Sequence, residues 1–204
     1  MESSWAGSVA AFGDAARWFV DVAGRVGGRW EAPGLGEWDV RALVGHTSRS
    51  FLTVETYLAT PAEEVVVETA LDYYLATREI AAGPGVAERG VEAGRLLGED
   101  PADAVRTIAD RVLALVAERS GSELVTTIAG GMRLADYLPT RVFELAVHTC
   151  DLARALGEPL DLPAAPARHA LAVASALSAH DGTGGELLLA VTGRTALPVG
   201  FSVM

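Results

Sequence analysis

Apolar residues recur every three to four positions in five stretches of the chain, and each stretch predicts an amphipathic helix. Val9, Phe12, Ala16, Phe19, Val20 and Ala23 mark one over roughly 5–26, ended by Gly27-Gly28. Val40, Leu43, Val44, Phe51, Val54 and Leu58 mark a second, with Asp39 as N-cap, Trp38 and Leu43 placed as a hydrophobic staple, and Pro61 as the stop. The spacing over 65–80 predicts a third, shorter helix, and the glycines at 83, 85, 90 and 94 predict a loose connection. Val105, Ile108, Ala109, Val112, Leu115 and Val116 share one face of a helix capped by Asp100 with Pro101 at its first position. A short extended piece over 123–128 leads through Gly130-Gly131 to the longest pattern, 134–156, with Gly157 as C′ residue. One more helix, 164–179, precedes a short helix and an extended tail.

Four long helices with one long connection predict a mainly α fold: a four-helix bundle over 1–157 with a short C-terminal extension, 158–204, packed on it. Half of the 204 residues are apolar, enough for a sizeable core. No apolar run approaches the ~20 residues that span a bilayer. Glu2, with no basic cluster before an apolar run, does not suit a signal peptide. A net charge of −11 argues against general nucleic-acid binding. The single cysteine, Cys150, precludes an internal disulfide and fits a reducing cytoplasm. All 16 basic residues are arginine, with no lysine or asparagine, which points to a high-G+C genome.

The chemistry concentrates in RVFELAVHTCDL, residues 141–152. Arg141, Glu144, His148 and Asp151 follow one another at spacings of three, four and three. On a helical wheel, Leu134, Leu138, Leu145, Leu152 and Leu156 form the core side, Glu144, His148 and Asp151 form a strip immediately beside it, and Arg141 falls between the two. Two explanations fit. Arg141 with Glu144 and His148 with Asp151 could be surface pairs of a helix edge. Alternatively, Glu144 and His148, one turn apart, could converge on a transition-metal ion. A third ligand would then come from another helix, and His46 lies on the flank of the second helix's stripe. His169 and His180 have no companions at ligand spacing and are expected at the surface. Cys150 points away from the strip.

Two motifs carry a resemblance. Trp38-x-Val40-Arg41-x-Leu43-Val44-x-His46, followed about a hundred residues later by Arg141-x-x-Glu144-x-x-Val147-His148-x-x-Asp151-Leu152, is similar to the mycothiol-dependent maleylpyruvate isomerase family of the DinB-like superfamily. The resemblance covers about 5–157, and the TGR…LP.GF tail also resembles members of the group. It implies a DinB-like four-helix bundle that binds a divalent metal, most simply zinc, on His46, Glu144 and His148. Arg141 and Asp151 would then support the ligands. Characterised isomerases of the family carry a larger C-terminal domain that supplies an arginine; within the 47 residues after Gly157 the candidate is Arg194. The resemblance further implies mycothiol as cosubstrate and a thiolate that adds to, or isomerises, a small electrophile. The implied reaction class is that of a transferase or an isomerase. A metal-dependent hydrolase and a non-catalytic binding bundle remain open, as does a homodimer.

Overall fold

A computed structural model describes residues 4–81, 83 and 85–204. Among the described residues the chain forms eight helices and two short hairpins. In order these are α1 (Trp5–Gly24), β1 (Pro33–Leu35), β2 (Trp38–Asp39), α2 (Val40–Leu58), α3 (Ala70–Ala81), α4 (Gly85–Leu96), α5 (Pro101–Ala117), β3 (Leu124–Thr127), β4 (Gly130–Arg133), α6 (Leu134–Leu156), α7 (Ala164–His180) and α8 (Gly184–Val191). Helices α1, α5, α2 and α6 pack in a ring, each against the next and α6 against α1, so the mainly α bundle is as expected.

Its core follows the periodic stripes. Phe12, Phe19, Leu43, Phe51, Leu138, Leu145 and Leu152 are fully buried. Phe51 of α2 meets Phe12 and Phe19 of α1 with ring centroids 5.8 and 6.1 Å apart. Each such side chain contributes about 1.5–3 kcal/mol through burial.

Local chemistry sets where the two site helices begin. The Asp39 carboxylate accepts the Ala42 N–H at 2.7 Å, which starts α2 immediately after the β1–β2 hairpin. At the start of α6 no side chain caps. Instead the Leu134 and Ala135 N–H groups donate to the carbonyls of Glu123 and Gly121 at 2.8 and 2.9 Å. These bonds and the β3–β4 hairpin fix the register with which α6 presents its ladder. Gly157, at φ 69°, ends the helix where expected.

Two expectations need correction, and a third gains a partner. The helix placed at 65–80 starts only at Ala70. The N–H groups of Val66 and Val67 donate to the Gly131 carbonyl beside β4, and Thr69 Oγ1 accepts the Asp72 N–H, so 65–69 is tied to the hairpin. The glycine-rich segment is not a loose connection but contains α4. A Cβ on Gly94 would stand 2.7 Å from the Arg41 carbonyl oxygen, and one on Gly45 would collide with the Gly94 backbone. These glycines let α4 and α2 touch backbone to backbone. The extended piece at 123–128 is one arm of a hairpin whose return strand contains Gly130-Gly131.

The remaining elements cover the bundle from one side. Helix α7 packs on α1 and α6 and touches α3, while α8 packs on α7. Val203 of the tail rests against the core. Among the described residues no helix is long and apolar enough to cross a membrane.

Candidate metal centre

His46 reaches the site from α2 with its ring held from above. The Trp38 ring lies 4.4 Å away, tilted by 34°. Trp38 is itself 9% exposed, and its Nε1 donates to the Ala87 carbonyl at 3.0 Å. A Cβ on Gly90 would sit 2.6 Å from that indole, so α4 can cover Trp38 only with glycine there. The Nδ1 of His46 is buried and has no hydrogen-bond partner among the described residues. Burial, then the charge of His148, lower the pKa of His46 to about 4. It is therefore neutral at pH 7, with a lone pair to offer.

Glu144 and His148 face it from α6. The His46 and His148 rings stand edge to face with centroids 4.8 Å apart. His148 Nε2 lies 3.3 Å from Glu144 Oε2, and its Nδ1 lies 3.2 Å from Asp151 Oδ2. The Tyr74 hydroxyl of α3 donates to Glu144 Oε1 at 2.8 Å. Burial disfavours the Glu144 carboxylate, but the bond from His148 and the Arg141 charge outweigh it and hold the group at about 2. Burial also disfavours charge on His148, yet its bonds to Asp151 and Glu144 prevail and raise it to about 9. Without a metal, His148 is an imidazolium clamped between two carboxylates.

The helix-edge explanation holds in part. His148 does pair with Asp151. Arg141 forms no ion pair with Glu144 among the described residues. Its guanidinium instead lies over the rings of Tyr137 and Tyr73, 4.9 and 5.4 Å from their centroids. Arg141 is only 8% exposed, in keeping with its place on the wheel between the core side and the strip.

One ligand atom from each of His46, Glu144 and His148 falls within a mutual distance of 4.8 Å. Donors on one zinc ion stand roughly 3–4 Å apart, given bonds of ~2 Å. Two imidazoles and a carboxylate suit such an ion, and His46 is held neutral, with a ring lone pair to give. The three residues therefore fit the group. Asp151 Oδ2 stands 3.2 Å from the other ring nitrogen of His148, Nδ1, on the side away from Glu144.

Other candidates lie elsewhere. Arg194 is exposed beyond α8, its Nη1 turned to the Thr192 carbonyl at 3.4 Å. His180 is exposed, and His169 is half-buried with Nδ1 3.1 Å from the Ala165 carbonyl. Cys150 is half-buried and outside the ligand group. Sequence reasoning missed Tyr73, Tyr74 and Tyr137, and it gave Trp38 only a capping role. The signal available was the Tyr73-Tyr74 pair on a short amphipathic stretch, with no periodicity to aim it at α6.

The model of the mycothiol maleylpyruvate isomerase N-terminal domain family matches residues 9–153. No curated protein and no solved structure matches the chain.

Proposed function

This chain belongs to the mycothiol maleylpyruvate isomerase N-terminal domain family, and we propose that it is an enzyme that holds a divalent metal on His46, Glu144 and His148. Zinc suits this donor set. The proposed reaction is thiol addition from mycothiol to a small electrophile. Release of the thiol would give an isomer, and its retention an S-conjugate. The cytoplasm, where low-molecular-weight thiols stay reduced, is the proposed setting. The observation that carries the reading is the convergence of one ligand atom each from His46, Glu144 and His148 within 4.8 Å of one another.

A divalent ion bound there would favour the deprotonated, nucleophilic form of a thiol. The chain's own residues prepare the place. Trp38 covers one face of His46. The Tyr74 hydroxyl fixes Glu144 Oε1, leaving Oε2 turned toward His148. Asp151 holds His148 Nδ1–H, so that loss of the other ring proton leaves the Nε2 lone pair facing the cluster. The Arg141 charge helps keep Glu144 ionised.

The test is a thiol-dependence assay with model electrophiles, together with the absorption spectrum of Co²⁺-loaded protein. Consumption of mycothiol and a sulfur-to-cobalt charge-transfer band on its addition are expected. Substrate hydrolysis without thiol and an unchanged spectrum would replace this reading with that of a metal-dependent hydrolase.

A further inference from the structure

Helices α4 and α5 both pack on α2, yet among the described residues they hardly meet each other. The gap between them is a groove of about 520 Å³, within the ~300–1,000 Å³ usual for small-molecule sites. Its floor is aliphatic: Leu52 of α2, Ala93 of α4, Leu97 just after α4, and Ile108 of α5. The exposed Leu96 extends that surface to the rim. No aromatic ring lines the groove, and neither do His46, Glu144 or His148.

The charged side chains that border it are Arg49, Arg89, Arg111, Glu88 and Glu92. Two of these are already matched. Arg111 donates to both oxygens of Glu55 at 2.8 and 2.9 Å, and Arg95 donates to both oxygens of Glu92 at 2.8 and 2.7 Å. Glu88 and Glu92 also border the neighbouring groove beside Trp38, so they stand on the ridge between the two. Arg49 and Arg89 form no hydrogen bond or ion pair among the described residues. Arg49 is half-buried, which makes an unmatched cation there more costly than at the surface. An aliphatic floor with two unmatched guanidinium groups at its edge is the result.

We propose that this groove binds a small amphipathic anion, its acid group drawn to Arg49 and Arg89 and its aliphatic chain laid along Leu52, Leu97 and Ile108. The chain as a whole carries −11, which repels anions at long range. Beyond a Debye length of ~8 Å at physiological salt that repulsion is screened, so the two nearby arginines set the local potential. A neutral apolar molecule would leave Arg49 unmatched, and a cationic one would be repelled by it. An acid group instead gains charge-assisted hydrogen bonds from a guanidinium. The groove shares no residue with the metal centre proposed above, so this binding is independent of the thiol reaction.

The test is a ¹H–¹⁵N NMR titration, on zinc-loaded and on metal-free protein. The probes are octane-1-sulfonate, a poor zinc ligand that stays ionised, and octanoate, 1-octanol, octylammonium and propane-1-sulfonate. Octane-1-sulfonate and octanoate should shift the amides of Leu52, Ala93, Leu97 and Ile108 equally well with and without zinc. They should bind about 10-fold or more tightly than 1-octanol, which lacks the charge, and than propane-1-sulfonate, which lacks the chain. Octylammonium should leave these amides in place despite the acidity of the protein. The preference for octane-1-sulfonate over 1-octanol should fall in Arg49→Met and in Arg89→Met, and approach one in the double variant. Equal affinity for the two, shifts that map outside the groove, or a preference kept by the double variant would overturn the proposal. If the variants at Arg49 do not fold, an unchanged preference in Arg89→Met, at an exposed position, overturns it instead. Octanoate shifts confined to the surroundings of His46, Glu144 and His148 in the zinc-loaded protein would mark it as a metal ligand and also contradict the groove. Cosedimentation with phosphatidylglycerol vesicles that is lost in the double variant would assign the groove to a lipid surface and overturn its use by a free ligand.

Discussion

The two ends of the ladder on α6 handle buried charge in opposite ways. At one end the Arg141 cation lies against tyrosine rings, with no carboxylate among the described residues ion-paired to it. At the other, His148 sits between Glu144 and Asp151. Aromatic faces stabilise a cation without neutralising it, so the positive charge at this end is fixed. Two carboxylates hold a proton on His148, and a metal ion can take that proton's place. One strip of a single helix thus combines a fixed positive charge with an exchangeable one.

The largest effect that would sharpen this contrast is loss of His148. His148→Ala should weaken zinc binding by more than about 100-fold, beyond the ~10–100-fold typical of a residue that only supports a ligand. Competition with a chromophoric chelator measures it. Asp151→Asn should fall within that ~10–100-fold range, because the His148 ligand survives while its tautomer is less well fixed. If the two variants lose affinity equally, Asp151 does more than orient the ring.

Tyr74→Phe should cost about 1–3 kcal/mol in urea unfolding of the metal-free protein, since it removes a donor from a buried carboxylate. A cost near zero would mean that water replaces the hydroxyl.

The metal-free protein should also show a two-sided pH profile. His148, raised to about 9, adds stability below its unfolded pKa near 6.5 and loses it as pH rises toward 9. His46, lowered to about 4, gives the opposite slope: the unfolded chain takes up the proton first, so stability falls as pH drops from 6.5 toward 4. Glu144, held at about 2, adds to the loss below about 4.5. Stability should therefore peak near pH 6–7, and His148→Ala should flatten the alkaline side. An unchanged alkaline slope in that variant would remove His148 as its cause. The smallest expected effect is that of Cys150→Ser, which should leave zinc affinity unchanged in the same chelator assay.

Which parts were legible in the sequence follows from how local their causes are. Helix α6 was legible to the residue because its stripe is long and Gly157 closes it. His46, Glu144 and His148 were legible as metal candidates through ligand type, spacing and family resemblance. Helix α4 was not, because Gly90 and Gly94 look like breakers until Trp38 and α2 are seen against them. The partners of Arg141 were not legible either. An i,i+3 acid suggested a pair, whereas the observed rings of Tyr73 and Tyr137 come from α3 and from the preceding turn of α6. Contacts between helices far apart in sequence leave no periodic trace.

The central claim is that His46, from a separate helix, completes a metal site with Glu144 and His148. The most direct test is elemental analysis of apo protein reloaded with Zn²⁺ and freed of excess, for the wild type and His46→Ala side by side. One ion per chain in the wild type, and far less in His46→Ala at equal foldedness by circular dichroism, is the predicted result. Equal zinc content in the two proteins would contradict it.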